Sequence, residues 1–169
     1  MRHFIFGVLA GLLIGPLIAT LIVIAGFAPI AAKTQPPGLE SGIARRALNA
    51  SVSHAAPRMA NPLAPSSETL RAGLKIFREN CAGCHGEPEH PSSWGTTSFY
   101  PRVPQFRQEP PSRPDWQVFW IVKNGIRYSG MGAWDGQIPD EKIWQVATFL
   151  NHLNNLPADV QAEWTGGRK

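Results

Sequence analysis

Cysteine is scarce in this chain: two among 169 residues, too few for the disulfide framework that staples many small secreted domains. Strand-like alternation of apolar and polar residues is also missing, so the fold class reads as all-α with long loops. Beyond residue 65 there is no net charge. Arg2, Lys33, Arg45, Arg46 and Arg58 face Glu40 alone in residues 1–65, so the whole formal excess of +4 sits there. Residues 66–169 hold eleven groups of each sign. That balance gives no basic footprint for nucleic acid; a few cations beside an apolar segment suit anionic headgroups instead. No nucleophile–base pair and no carboxylate pair is identifiable. Glu87 and Glu89, either side of Pro88, read as solvated loop acids.

The apolar segment is the first thing present. Phe4 to Ile30 carries no charged side chain over 27 residues. A bilayer crossing needs roughly 20, whereas the core of a secretory signal runs only about 7–15 before its cleavage site. Ile30-Ala31-Ala32 is a weak cleavage signal, so residues 1–32 read as an uncleaved signal-anchor. Lys and Arg on both flanks leave its orientation open on charge alone. Residues 33–65 are rich in Pro, Ala and Ser and read as a flexible linker, with a short helix over Leu39–Val52 as a minor alternative. Such a chain reaches about 30 Å.

A globular domain is expected over 66–157, followed by a tail, 158–169, whose end from Gly166 to Lys169 frays. Ser66-Ser67-Glu68-Thr69 reads as a helix start, and Leu70, Leu74 and Phe77 recur at helical spacing. Gly73 costs about 1 kcal/mol in a helix interior and so points to close approach of another backbone. Residues 86–114 read as loop, with Trp94, Phe99, Tyr100, Val103 and Phe106 as its apolar members. A second helix, capped by Asp115, is expected through about Lys123 with Trp116, Phe119 and Trp120 on one face, stopped by Asn124-Gly125. A third is expected from Glu141 to Leu153, capped by Asp140, with Ile143, Trp144, Ala147, Leu150 and Leu153 apolar.

Both cysteines fall in Cys81-Ala82-Gly83-Cys84-His85. C-x-x-C-H is the attachment signature of c-type haem. Two thiols three positions apart can reach the two vinyl groups on one porphyrin edge as thioethers, and the next residue, His85, can place an imidazole nitrogen under the iron. A Cys81–Cys84 disulfide would close a very small loop and add little. A redox C-x-x-C wants a βαβ context that is not there, and structural zinc wants four ligands where only His85 and His90 are near. About 100 residues with three helices form a poor core unaided, and a large apolar disc would supply its centre. For the opposite axial position Met131 is the methionine inside the domain, between Gly130 and Gly132; Met1 is terminal and Met59 lies in the linker. His90 and His152 remain alternatives.

Residues 66–156 resemble a class I cytochrome c, in particular the haem subunits of cbb3-type oxidases. The likeness rests on Gly73-x3-Phe77-x3-Cys81-Ala82-Gly83-Cys84-His85-Gly86, on Asn124-Gly125-Ile126-x4-Gly130-Met131, and on the helix Glu141 to Leu150. It does not extend to residues 1–65, and the Met-Pro common in the family is Met131-Gly132 here. The resemblance implies one haem c, bound through Cys81 and Cys84 with His85 and Met131 as iron ligands. It also implies that Gly73 and Phe77 meet the last helix near Val146 and Phe149, and that Pro104 (or Pro101) offers its carbonyl to the proximal histidine. The expected function is a membrane-anchored carrier of single electrons in a respiratory chain, free or as a subunit of an oxidoreductase. It would be single-pass in the inner membrane with the haem on the periplasmic side, and its partners would be membrane-bound or soluble redox proteins. Iron with both axial positions filled suits a carrier and not an enzyme. The rival reading is a sensor or enzyme in which Met131 dissociates and iron binds CO, NO or peroxide.

Overall fold

The computed structural model describes residues 1–166 and divides them into two compact units, one ending at Thr34 and one beginning at Gln35. Residues 167–169, part of the tail expected to fray, lie outside the described residues. The first unit is α1, Arg2–Ile24, with Pro16 inside it. Proline removes one ladder bond there, and the Thr20 hydroxyl donates back to the Pro16 carbonyl at 2.9 Å. By length and composition the helix can cross a membrane: 23 residues at 1.5 Å each exceed a hydrocarbon core of about 30 Å.

The second unit is helical throughout, and no strand occurs among the described residues. Its elements are α2 (Gly38–Ala55), α3 (Ser67–Asn80), α4 (Ala82–His85), α5 (Ser93–Thr97), α6 (Asp115–Asn124), α7 (Asp140–Asn151) and α8 (Ala158–Thr165). Ser66 caps α3 by accepting the Thr69 N–H at 3.2 Å. Leu70, Leu74, Ile76 and Phe77 are buried on that helix, and Ile143, Trp144, Val146, Ala147, Phe149 and Leu150 on α7. The two helices cross at Gly73. A Cβ there would strike the Gln145 carbonyl oxygen and lie 2.7 Å from the Phe149 Cβ. The glycine is a contact requirement of the crossing, and its helix-propensity cost is the smaller matter. Phe77, fully buried, then meets Phe149 at 5.9 Å and Trp164 of α8 at 5.6 Å, edge to face.

Five local expectations change. On α6 the buried positions are Gln117, Val118, Phe119 and Val122, with Phe119 stacked on Trp144 of α7 at 4.1 Å. Trp116 and Trp120 are half-buried, Trp116 packing against the edge of the core. Pro114 and Pro139 occupy the N-cap positions, so Asp115 and Asp140 begin their helices without capping them. Asp115 accepts instead from Asn61 at 2.6 Å and Asn151 at 2.5 Å, and Asp140 from Lys123 at 2.7 Å.

The stretch expected as a flexible linker contains the 18-residue α2. It docks through a narrow apolar seam, Val52 and Ala56, and through polar ties: Tyr100 donates to Glu40 at 2.6 Å, and Arg113 donates to Asn49. A helix held by two small side chains and hydrogen bonds leaves little hydrophobic signal in its sequence. The expected C-terminal tail likewise begins with α8, whose Val160 and Trp164 enter the core. Lastly, Glu87 is not solvated. It is buried and accepts from the Arg78 Nε at 2.8 Å, while Arg78 also donates to the Glu163 carbonyl at 2.7 Å. Burial of the carboxylate is tolerated because a guanidinium meets it.

Candidate haem-attachment site

Helix α3 delivers the chain into a single further turn. Cys81 N–H donates to Phe77 O (2.8 Å), Cys84 and His85 N–H donate to Cys81 O (3.1 and 2.9 Å), and Gly86 N–H donates to Ala82 O (2.8 Å). Both cysteines and the histidine therefore project from one turn, α4. Gly86, at φ 71°, ends it in a conformation that side chains disfavour. Cys81 and Cys84 are free, half-buried thiols. Burial, with a contribution from Cys84, pushes the Cys81 thiol up to about 12. A redox C-x-x-C needs the opposite shift. Among the described residues no group of three His, Cys, Asp or Glu side chains is placed to hold a metal ion by itself.

His85 Nδ1 lies 2.9 Å from the Pro104 carbonyl. A carbonyl only accepts, so Nδ1 carries the proton and Nε2 the lone pair. Burial lowers the His85 pKa against the opposing pull of that carbonyl, which favours the neutral, ligating form. Of the two prolines considered, Pro104 is the one in contact. Phe106, two residues on, stacks on the His85 ring at 4.1 Å and an 8° interplanar angle, and its N–H lies 3.4 Å from the His85 carbonyl.

Met131 is partly buried against the same apolar cluster as Cys81 and Phe106. Its loop is closed locally. Ile126 N–H donates to Met131 O (2.9 Å), Met131 N–H to Ser129 Oγ (3.1 Å), and Ser129 Oγ to Ile126 O (2.7 Å). Gly125, at φ 70°, begins it. Of the two flanking glycines only Gly130 is sterically demanded, since the Phe99 ring fills the place of its Cβ; Gly132 faces open space. Of the alternative ligands, His90 is exposed, and His152 Nδ1 donates to Thr148 O at 2.8 Å, one helical turn back, which leaves its Nε2 lone pair free as in His85.

Residues 68–150 match the family described as cytochrome c oxidase, cbb3-type, subunit III. This stretch is a cytochrome c domain. Among solved structures it is similar to a chain of the reducing HAO-like protein complex Kustc0457/Kustc0458 of Kuenenia stuttgartiensis. That similarity is at 18% identity and a TM-score of 0.36, over 56% of this chain and 48%, about half, of that one. No curated protein matches.

A cytochrome c domain implies haem c, and its residues fit that group. Two unpaired thiols in C-x-x-C spacing adjoin a neutral imidazole whose tautomer is fixed by a backbone carbonyl. Sequence reasoning missed the stacking role of Phe106 and the polar groups behind the turn, Ser92 and Gln105. The signals available for Phe106 were its apolar ring in a polar stretch of loop and its place two residues after Pro104. Gln105 and Ser92 gave none, being ordinary polar residues in a loop.

Proposed function

We propose that this chain is a single-haem c-type cytochrome that carries electrons one at a time, anchored by α1 with its cytochrome c domain on the periplasmic side of the inner membrane. It serves a respiratory chain either as a free carrier or as the haem subunit of an oxidoreductase. In this reading Cys81 and Cys84 would hold the haem covalently, His85 Nε2 and the Met131 sulfur would ligate its iron, and Pro104 fixes the His85 tautomer. When bound, the iron supplies one-electron chemistry between two oxidation states. The protein's part is to hold both ligands in place, so that little reorganises between them, and to exclude water with Phe106 and the apolar residues beside it.

The observation that carries this reading is the convergence, in one turn, of two free thiols and an imidazole already committed through Nδ1 to Pro104. Two measurements on membrane-extracted protein test it. Haem should stay with the polypeptide through acid–acetone extraction, and lose that retention in Cys81→Ala/Cys84→Ala. The reduced protein should bind CO slowly and Met131→Ala quickly. Equal CO rates in the two would favour the ligand-binding sensor and end the carrier reading. Anchoring by α1 predicts that the protein stays in the membrane fraction through high-salt and alkaline washes, and that removal of residues 1–32 releases it.

A further inference from the structure

We propose that Gln105 is a positioning residue for His85: its side-chain amide, tied to Ser92 and Cys84, sets the place of the Pro104 carbonyl that orients the imidazole. The inference rests on His85 being an iron ligand, as proposed above.

The last carbonyls of a helix have no partner within it, and in α4 these belong to Gly83, Cys84 and His85. Each is met from outside. Ser92 Oγ donates to Gly83 O at 2.6 Å, Gln105 Nε2 to Cys84 O at 3.0 Å, and Phe106 N–H approaches His85 O at 3.4 Å. Ser92 Oγ also accepts the Gly95 N–H at 2.9 Å. Gln105 is the member that joins these groups. Its Oε1 accepts the Ser92 N–H at 2.8 Å, and its Nε2 also reaches Val103 O at 3.2 Å. The orientation of the amide follows from its partners, because a backbone N–H only donates and a backbone carbonyl only accepts.

One side chain therefore pins three separate stretches: the haem-attachment turn, the start of α5, and the loop residue before Pro104. Two glycines make room for this arrangement. At Gly86 the space of a Cβ is taken by Gln105 Oε1, and at Gly95 by the Cys84 carbonyl. Gln105 lies directly between Pro104, which accepts from His85 Nδ1, and Phe106, which stacks on the ring. Displacing residue 105 moves both contacts on His85. Loss of the Nδ1–H···O bond makes the imidazole a poorer donor to the oxidised iron and so favours reduction.

The test uses the full haem-bearing chain in detergent. Gln105→Leu keeps the bulk and removes the amide. Its redox equilibrium should move about tenfold toward the reduced state, a rise of ~59 mV in midpoint potential. Gln105→Asn, one methylene shorter, should move it less in the same direction. Arg71→Ala, an exposed change on α3 whose partners Asp159 and Glu163 lie outside this network, is the control, and its potential should equal the wild type's. A Gln105→Leu potential equal to wild type overturns the proposal, as does a shift no larger than that of Arg71→Ala. If Gln105→Leu does not accumulate with haem, the same two outcomes are read from Gln105→Asn. His85→Ala separates the layers of the inference. If it keeps the wild-type low-spin spectrum, the ligand assignment falls and the positioning role with it. If it loses that spectrum while Gln105→Leu stays at the wild-type potential, the positioning role alone falls.

Discussion

Two sides of the cytochrome c domain are held by different forces. Where α3, α7 and α8 meet, the interior is apolar and aromatic: Phe77, Phe149 and Trp164 pack at centroid distances of 5.4 to 5.9 Å. On the other side, from Gly83 to Phe106 and from Gly125 to Met131, the chain is shaped by side chains bonded to carbonyls and by glycines in left-handed or crowded positions. The first side derives its stability from buried area, which tolerates modest change in direction. The second depends on hydrogen bonds whose geometry is either met or lost. A redox site gains from that division, since packing supplies the free energy of folding and the polar side supplies the precision.

The largest break in the packed side is expected from Phe77→Ala. Emptying a fully buried aromatic position typically costs about 3–5 kcal/mol, measurable as a lowered denaturation midpoint with unchanged denaturant slope. Phe77 also lies 6.1 Å from Phe106, the ring stacked on His85. If the two sides are independent, the potential of Phe77→Ala stays near wild type while its stability falls. A potential shift as large as that expected for Gln105→Leu would show that the aromatic interior also steers the histidine.

Gly73→Ala comes next, and here two effects oppose. Alanine improves helix propensity by about 1 kcal/mol. Its methyl would collide with the Gln145 carbonyl oxygen and the Phe149 Cβ, neither of which can swing aside. Overpacking of this kind costs about 1–3 kcal/mol and forces the helices apart. The clash should win, giving a net loss of stability. A stabilised Gly73→Ala would mean that the α3–α7 crossing is looser than the distances indicate.

The same contrast explains what could be read from the amino-acid order. The α3 and α7 faces, Gly73 as a contact point, and the Cys81–His85 turn were legible because their signals are local: helical spacing, an out-of-place glycine, a five-residue signature. Helix α2 was legible only as a minor alternative over Leu39–Val52, because only Val52 and Ala56 mark its buried seam. Helix α8 escaped because Trp164 gains meaning only beside Phe77 and Phe149, both remote in sequence. The ties of Gln105 to Cys84 and Ser92 are equally non-local, so no pattern within the loop announces them. Glu87 was misread for the same reason, its partner Arg78 lying on a different element.

Asn61→Ala probes how firmly the segment after α2 belongs to the domain. Asn61 Nδ2 donates to Asp115 at 2.6 Å and lies 2.8 Å from the buried Thr148 hydroxyl. Removing it leaves Asp115 with Asn151 and should cost about 1–2 kcal/mol. Protease cleavage should rise between Ala56 and Pro65, while the haem spectrum stays unchanged. Unaltered proteolysis would mean that the Val52 and Ala56 seam alone holds the segment.

The smallest expected effect concerns the outer edge of the packed side. Arg71 reaches from α3 to Asp159 and Glu163 of α8, both at 2.5 Å. Burial pushes the Asp159 carboxyl up, but the Val160 N–H, the Arg71 guanidinium, its own backbone N–H and the Ser67 hydroxyl together hold it below its ordinary value. A carboxylate whose folded pKa is depressed contributes stability above its unfolded value, about 3.9, and loses it as pH falls through the lower folded one. The sensitive window is thus below about pH 4. The Arg71, Asp159 and Glu163 side chains are solvent-exposed, so screening keeps the contribution small and salt should shrink it further. The measurement is the difference in thermal midpoint between wild type and Asp159→Asn. It should be present at pH 5 in low salt, and reduced at pH 3 or in 1 M salt. A difference that persists at pH 3 would show that Asp159 holds α8 through neutral hydrogen bonds and not through charge, which would place this edge with the polar side of the domain.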